Sequence, residues 1–264
     1  MSKFRDGWVR LAFVLALLLP VYFLIAALGT KFGLFEWRVG FGLLVFKLGA
    51  LVLFGVFGIA FIGLLLAVLV KPRRGWGRAL TALLVPTLAL GFVVSVMAKA
   101  KTIPPIHDVS TNIQDPPLFP PSVIAARAAI GGGNAVTSMT APVAMLKGKS
   151  VGEIGQAANP DIRSLTLAMP VADATALAAN AAKAQGLKAV TVDAAGGKVE
   201  AVAESFWFGF KDDVAIRVRP GAMAGSSVVD IRSTSRVGVS DLGANAKRVR
   251  GLLGAIKAKA PAGG

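Results

Sequence analysis

Three stretches of the chain, Leu11 to Thr30, Leu48 to Val70 and Ala79 to Ala98, hold no charged side chain, and each is bounded on both sides by Lys or Arg. About 20 apolar residues rising 1.5 Å each cross the ~30 Å hydrocarbon layer of a bilayer. Three transmembrane helices are therefore expected, and a wholly soluble fold is excluded. Pro20 and Pro86 fall inside the first and third spans, where a bundle tolerates the carbonyls they free. Gly49, Gly55, Gly58 and Gly63 in the second leave bare backbone for close helix approach, with Gly63 and Ala67 as a small-xxx-small pair. Trp8, Trp37 and Trp76 lie near span ends, the level amphipathic rings prefer.

Charge sets the expected orientation. Lys3, Arg5, Arg10, Lys71, Arg73, Arg74 and Arg78 would share one side of the membrane, against Lys31, Arg38, Lys47, Lys99 and Lys101 on the other. Positive residues are retained in the cytoplasm, so the amino terminus and the dense loop after the second span are expected inside. Everything beyond Lys99 is then expected outside. The basic start and Ala26-Ala27-Leu28-Gly29 also suit a cleaved signal peptide, but the first apolar run exceeds the roughly 7–15 residues usual for one. No carboxylate, His or Arg lies at depth in any span, which disfavours a channel or transporter, since ion paths usually need such groups. Anchoring is the expected role of residues 1–98.

Residues 99–264 carry 19 basic and 12 acidic side chains and read as a different kind of chain. Thr102 to Pro121 contains six prolines, which forbid a helix and favour extended backbone, so residues 99–124 are expected to form a linker or a strap. Residues 125–160, rich in Gly and Ala, read as irregular structure or small helices. Order is legible over residues 161–260. A strand at Leu165 to Met169 precedes an Ala-rich helix from Val171 to Gln185, ended by Gly186. Strands follow at Leu187 to Asp193, Val199 to Phe208, Val214 to Arg219 and Val228 to Arg236. A last helix, about Asp241 to Lys259, aligns Leu242, Ala246, Val249, Leu252, Leu253 and Ile256 in one stripe. The order β-α-β-β-β-β-α favours an α+β domain, an antiparallel sheet with two helices on one face.

Residues two apart on a strand share a face, so Arg217 stands with Arg219, and Asp230 with Arg232 and Arg236. Such a lattice is either a ladder of cross-strand ion pairs or an anion site, because guanidinium forks match carboxylate and phosphate oxygens. Ser240 and Asp241 are placed to cap the last helix, and the same helix start, with Asn245 and Arg248, could hold an anion. The expected ligand-binding set is thus Arg217, Arg219, Asp230, Arg232, Arg236, Ser240, Asp241, Asn245 and Arg248.

Catalytic signatures are weak. Gly148-Lys149-Ser150-Val151-Gly152 has the spelling of a nucleophile elbow, but the single His, His107, precedes it, whereas the elbow's His follows its nucleophile. With one His and no Cys, a usual zinc site cannot be built, and no cofactor is expected. Asp212 and Asp213 read as a turn.

Two segments are informative together. DDVAIRVRPGAMAGSSVVDIRSTSRVGVSDLGANAKRVR, from Asp212 to Arg250, and IHDVSTNIQDPP, from Ile106 to Pro117, resemble the bacterial family called domain of unknown function 1499, over about residues 103–258 of this chain. Members of that family occur in proteobacterial membrane proteins and plastid-bearing plants. The resemblance implies a domain of these bounds in the cell envelope and carries over no catalytic residue. The expected function is binding of an anionic envelope ligand or lipid headgroup, with membrane lipids as partners and no nucleic acid. Two alternatives stand beside it: an envelope enzyme using carboxylates such as Asp213, Asp230 or Asp241, and a structural subunit that meets a membrane partner through Gly55 and Gly58.

Overall fold

The computed structural model describes residues 1–261 in two compact units, one of Met1–Lys101 with Phe206–Gly209, the other of Thr102–Ser205 with the chain from Phe210 onward. The first unit holds three helices long and apolar enough to cross a membrane: α1 (Ser2–Lys31), α2 (Arg38–Leu69) and α3 (Trp76–Thr102). Small residues set the packing. Ala12, Ala16, Val56, Ala60 and Ala82 are buried between helices with Leu19 and Leu53, and a Cβ added to Gly63 would lie 3.4 Å from that of Ala12. The indole Nε1 of Trp8, which is partly buried, donates to the Ile59 carbonyl at 2.9 Å.

The second helix starts earlier than the uncharged run Leu48 to Val70 suggests. Its first part, Arg38–Leu48, is wound with the wider π spacing before the α-helix Gly49–Leu69. Gly40 explains the contact there, since a Cβ at that position would collide with Thr30 Oγ1. Tyr22 donates to the Leu44 carbonyl at 2.7 Å, supplying a partner within the irregular winding. Lys47 therefore lies inside a helix, with its side chain exposed. At the other end Arg5 is buried and donates to the carbonyls of Val70 and Pro72, fastening α1 to the turn after α2.

The second unit is an α+β domain built on one antiparallel sheet. Its strands are β1 (Asp108–Ser110), β2 (Leu165–Leu167), β3 (Lys188–Asp193), β4 (Lys198–Glu204), β5 (Lys211–Pro220) and β6 (Ser227–Ser235). The order is β1-β6-β5-β4-β3, with β2 also paired to β6. Helices α6 (Val171–Ala184) and α7 (Ala244–Lys259) cover one face. Alternate residues of the central strands, Val214, Ile216 and Val218 on β5 and Val229 and Ile231 on β6, pack with Ala174, Ala178 and Ala182 of α6 and Val249, Leu252 and Ile256 of α7. Burying a Val or Ile contributes about 1.5–3 kcal/mol, and the alanine face of α6 lets the helix lie close to the sheet. Lys211, Asp212 and Asp213 belong to β5 and are not a turn.

Residues 102–160 are part of this unit. Ile106, Val109, Ile113, Met139, Leu146 and Val151 enter the same core, β1 joins the sheet, and two short helices, α4 (Pro121–Ala128) and α5 (Val151–Ala158), lie in the Gly- and Ala-rich stretch. The proline-rich segment is a strap whose apolar residues are spaced singly, which leaves no period to read.

Candidate functional site

The face of the sheet opposite α6 and α7 is polar, as the alternation on β5 and β6 dictates. Register places Arg217 across from Asp230, Ala215 across from Arg232 and Asp213 across from Thr234. Asp213, Asp230 and Arg232 are nonetheless buried. A buried charge is costly unless paired and hydrogen-bonded, and each one here is. Arg232 donates through Nε and Nη2 to the two oxygens of Asp108, at 3.1 and 2.7 Å, and through Nη2 to the Thr137 carbonyl at 3.0 Å. Asp213 accepts from Arg127 Nη1 at 2.6 Å and from Arg236 Nη2 at 2.6 Å and Nε at 3.0 Å. Asp230 accepts from Ser164 Oγ at 2.5 Å, Arg217 Nη2 at 2.9 Å and Arg219 Nη2 at 2.6 Å.

Exposure differs among these arginines. Arg127 and Arg232 are closed off, Arg236 is 16% exposed, Arg217 19% and Arg219 41%. At the open end Asp115, on the strap, joins both outer arginines, accepting from Arg217 Nη1 at 3.0 Å and Arg219 Nη1 at 3.2 Å. Hydrogen bonding to Arg217, reinforced by its charge, holds the Asp115 carboxyl below the ordinary carboxylate range. Burial opposes the charge on Arg217, but its bonds to Asp115 and Asp230 outweigh this and raise its pKa. The Nε donors of Arg217 and Arg219 have no acceptor. Beside them a groove of about 460 Å³ runs between the strap and the strands β4 and β5, walled by Pro117, Leu118 and Phe119 and carrying Lys198, Glu200 and Arg217.

The remaining residues of the expected set lie on the other side of the sheet. Asn245, buried at the start of α7, accepts from Ser233 Oγ at 2.7 Å and Arg248 Nη1 at 2.6 Å, and donates to Ser235 Oγ at 2.9 Å and the His107 carbonyl at 3.0 Å. Arg248 also reaches Asp212 at 2.7 Å. Asp241 accepts from the Gly243 and Asn245 amides at 2.7 and 3.1 Å, while Ser240 Oγ takes the Leu242 amide at 3.2 Å. Burial raises the Asp241 pKa despite those amide bonds. The structure thus brings Arg217, Arg219, Asp230, Arg232 and Arg236 together, and separately Asn245 and Arg248, with Ser240 and Asp241 holding the turn into α7. It does not join the two groups into one site. Asp212 and Asp213, adjacent in sequence, serve one group each.

The expected ligand-binding set does not contain Asp108, Asp115, Arg127 or Ser164. Arg127 had one signal, as the only arginine between residues 102 and 160, but nothing local names Asp213 as its partner. The Gly148 to Gly152 motif has an ordinary structural use. Ser150 caps α5, its Oγ accepting the Glu153 amide at 3.1 Å while Glu153 Oε2 accepts the Ser150 amide at 2.7 Å, a capping box.

A family model described as a protein of unknown function (DUF1499) matches residues 108–256. That interval starts at Asp108 and takes in both polar groups. No curated protein matches the chain.

Proposed function

The chain belongs to the DUF1499 family, and from that premise we propose that its α+β domain is a binding module for an anionic envelope ligand with a short apolar part, held in the groove beside Arg217. One observation carries this reading: a groove of about 460 Å³ sets the part-exposed guanidinium of Arg217 and the Lys198 cation against an apolar wall. Arg127, Arg232 and Arg236 are committed to Asp108 and Asp213, so they brace the face. Arg217 and Arg219 share Asp115 and Asp230 but stay part-exposed, and Arg217 lines a groove with proline and leucine walls that also carries Lys198 and Glu200. Guanidinium forks suit carboxylate or phosphate, and the apolar wall suits a hydrocarbon portion. An enzyme based on Asp213 or Asp230 is less well supported, because the arginines occupy the lone pairs that proton transfer would need.

The test is thermal unfolding of the full chain in nanodiscs with octanoate as probe and octan-1-ol as its uncharged counterpart. A ligand that binds only the folded state raises the midpoint. Saturable stabilisation by octanoate alone, lost in Arg217→Gln, is expected. An equal response from the variant would overturn the proposal.

The same module is inferred to sit in the periplasm, with α1 to α3 crossing the inner membrane and the amino terminus in the cytoplasm. The support is charge: Lys71, Arg73, Arg74 and Arg78 lie in one short loop, and short loops dense in Lys and Arg stay inside. Selective labelling of single cysteines introduced at Arg73 and at Lys257 in intact cells tests it; labelling of the first and protection of the second would reverse the orientation.

A further inference from the structure

A second cavity, unrelated to the polar face, lies within the first unit. It measures about 950 Å³ and is lined by Asp6, Val9, Arg10, Phe13 and Val14 of α1 together with Arg74 of the loop before α3 and Arg78 in the first turn of α3. The charge inside it is unbalanced. Among the described residues neither Arg10 nor Arg78 makes an ion pair, and Arg74 has only a 3.4 Å contact with Asp6, whose other oxygen is taken by Arg5 at 2.6 Å. Arg10, Arg74 and Arg78 are exposed, so their guanidinium donors are open to an anion from outside the chain. The apolar residues are ordered with it: Phe13 and Val14 follow Arg10 by three and four residues, one helical turn or about 5.4 Å deeper along α1. The cleft therefore presents cations at headgroup level and hydrocarbon directly beneath.

We infer that this cleft is a binding site for one anionic phospholipid, its phosphodiester held by Arg10, Arg74 and Arg78 and an acyl chain laid along Phe13 and Val14. The occupant follows from the surroundings. Both helices are long and apolar enough to cross a bilayer, α3 buries little of its own surface with Leu80, Leu84 and Leu88 exposed, and basic pockets between such helices take anionic headgroups. A free phosphate shares the headgroup chemistry but has no use for the apolar floor. Gly7 and Gly75 complete the lining, and the space around both is open.

The experiment is native mass spectrometry of the full chain released from nanodiscs that contain phosphatidylglycerol and phosphatidylcholine in equal amounts. The wild type is expected to retain one phosphatidylglycerol and to discriminate against phosphatidylcholine. Arg74→Gln with Arg78→Gln should weaken that retention roughly thirtyfold, at about fivefold per cation near the surface. A control that removes two exposed charges elsewhere, Arg38→Gln with Lys47→Gln, should leave it unchanged. Equal retention of both lipids by the wild type, unchanged retention in the Arg74 and Arg78 variant, or the same loss in the control would each overturn the site. Millimolar inorganic phosphate should not displace the lipid; displacement would assign the cleft to free phosphate. All variants alter exposed side chains, and an unshifted melting midpoint verifies that each is folded.

Discussion

Arg127 Nη1 donates to Asp213 Oδ2 at 2.6 Å, joining residues 86 positions apart, and both side chains are about 2% exposed. A short helix in a Gly- and Ala-rich stretch is pinned to the central strands by that bond together with one from Arg127 Nη2 to the Ser235 carbonyl at 2.8 Å. Arg236 approaches the same carboxylate from the strand side.

Removing the shared carboxylate should be among the most damaging single changes in the domain. Asp213→Ala strands two guanidinium groups, one fully buried, and breaking a buried pair from one side costs about 3–5 kcal/mol. Arg236→Ala leaves the Arg127 bond in place and should cost about 1–2 kcal/mol. The double change Arg127→Leu with Asp213→Leu should be milder than Asp213→Ala, because the buried guanidinium leaves with its carboxylate and only the part-exposed Arg236 loses its partner. Urea unfolding of the full chain in neutral detergent measures all three; equal losses for Asp213→Ala and Arg236→Ala would show that Asp213 is not the shared anchor.

The contrast between this pair and its strand neighbours marks what could be read in advance. The six-strand sheet and its two covering helices lack only β1 in the sequence reading, because Val214, Ile216 and Val218 alternate with charged residues and the α7 stripe repeats at helical spacing. The three apolar helices were legible for a simpler reason, since a run with no charge needs no partner to be recognised. The polar face was legible only in half. Arg217 and Arg219 announce a shared face by being two apart, but their carboxylates arrive from β6 and from the strap, and Asp108 and Asp115 sit among prolines where no period gives their direction. The grouping of Asn245 and Arg248 with the strand arginines failed for a related cause. Proximity in sequence to Arg236 says nothing about which side of the sheet a following helix takes, and here α7 packs on the apolar face.

The carboxylates make opposing contributions to pH dependence. Asp115, Glu153 and Asp161 have pKa values lowered by hydrogen bonds from Arg217, Ser150 and Arg250 respectively. Their stabilisation is fully present above the unfolded values near 4 and disappears as pH falls through the lowered folded values. Asp241 is raised by burial, so its contribution is present below the unfolded value and is lost as pH rises through the folded one. Asp241→Asn should therefore flatten the loss of stability on the weakly acidic side above pH 4 and leave the acid limb below it intact. Asp115→Asn should do the reverse, shrinking the acid limb. Melting midpoints recorded from about pH 3 to pH 8 decide it, and a variant that changes the wrong limb would refute the assignment.

Ser150 carries a prediction that separates structure from chemistry. Its hydroxyl and Glu153 satisfy each other's amides, so Ser150→Ala should cost about 1 kcal/mol, the usual loss of an N-cap, while Ser150→Asp, which can also cap, should restore most of it. Octanoate binding should be unchanged in both. A loss of binding without a loss of stability would assign Ser150 a role at a ligand site.

The glycines of α2 divide by what surrounds them. Gly63 faces α1, with Ala12 and Trp8 at 3.4 and 3.5 Å from where a Cβ would be, whereas Gly55 and Gly58 would meet nothing within 4 Å. Gly63→Leu must therefore push α1 and α2 apart, and overpacking of this kind costs about 1–3 kcal/mol. Gly55→Leu and Gly58→Leu should leave the isolated chain's stability in detergent unaltered, because their side chains project away from its own helices. The same two variants, expressed in cells, then report on assembly alone: a protein that co-purifies with the wild type and is lost from Gly55→Leu and Gly58→Leu, at unchanged melting midpoint, would be a helix-mediated partner. If Gly55→Leu instead lowers the midpoint as far as Gly63→Leu does, the free surface ascribed to this side of α2 is wrong.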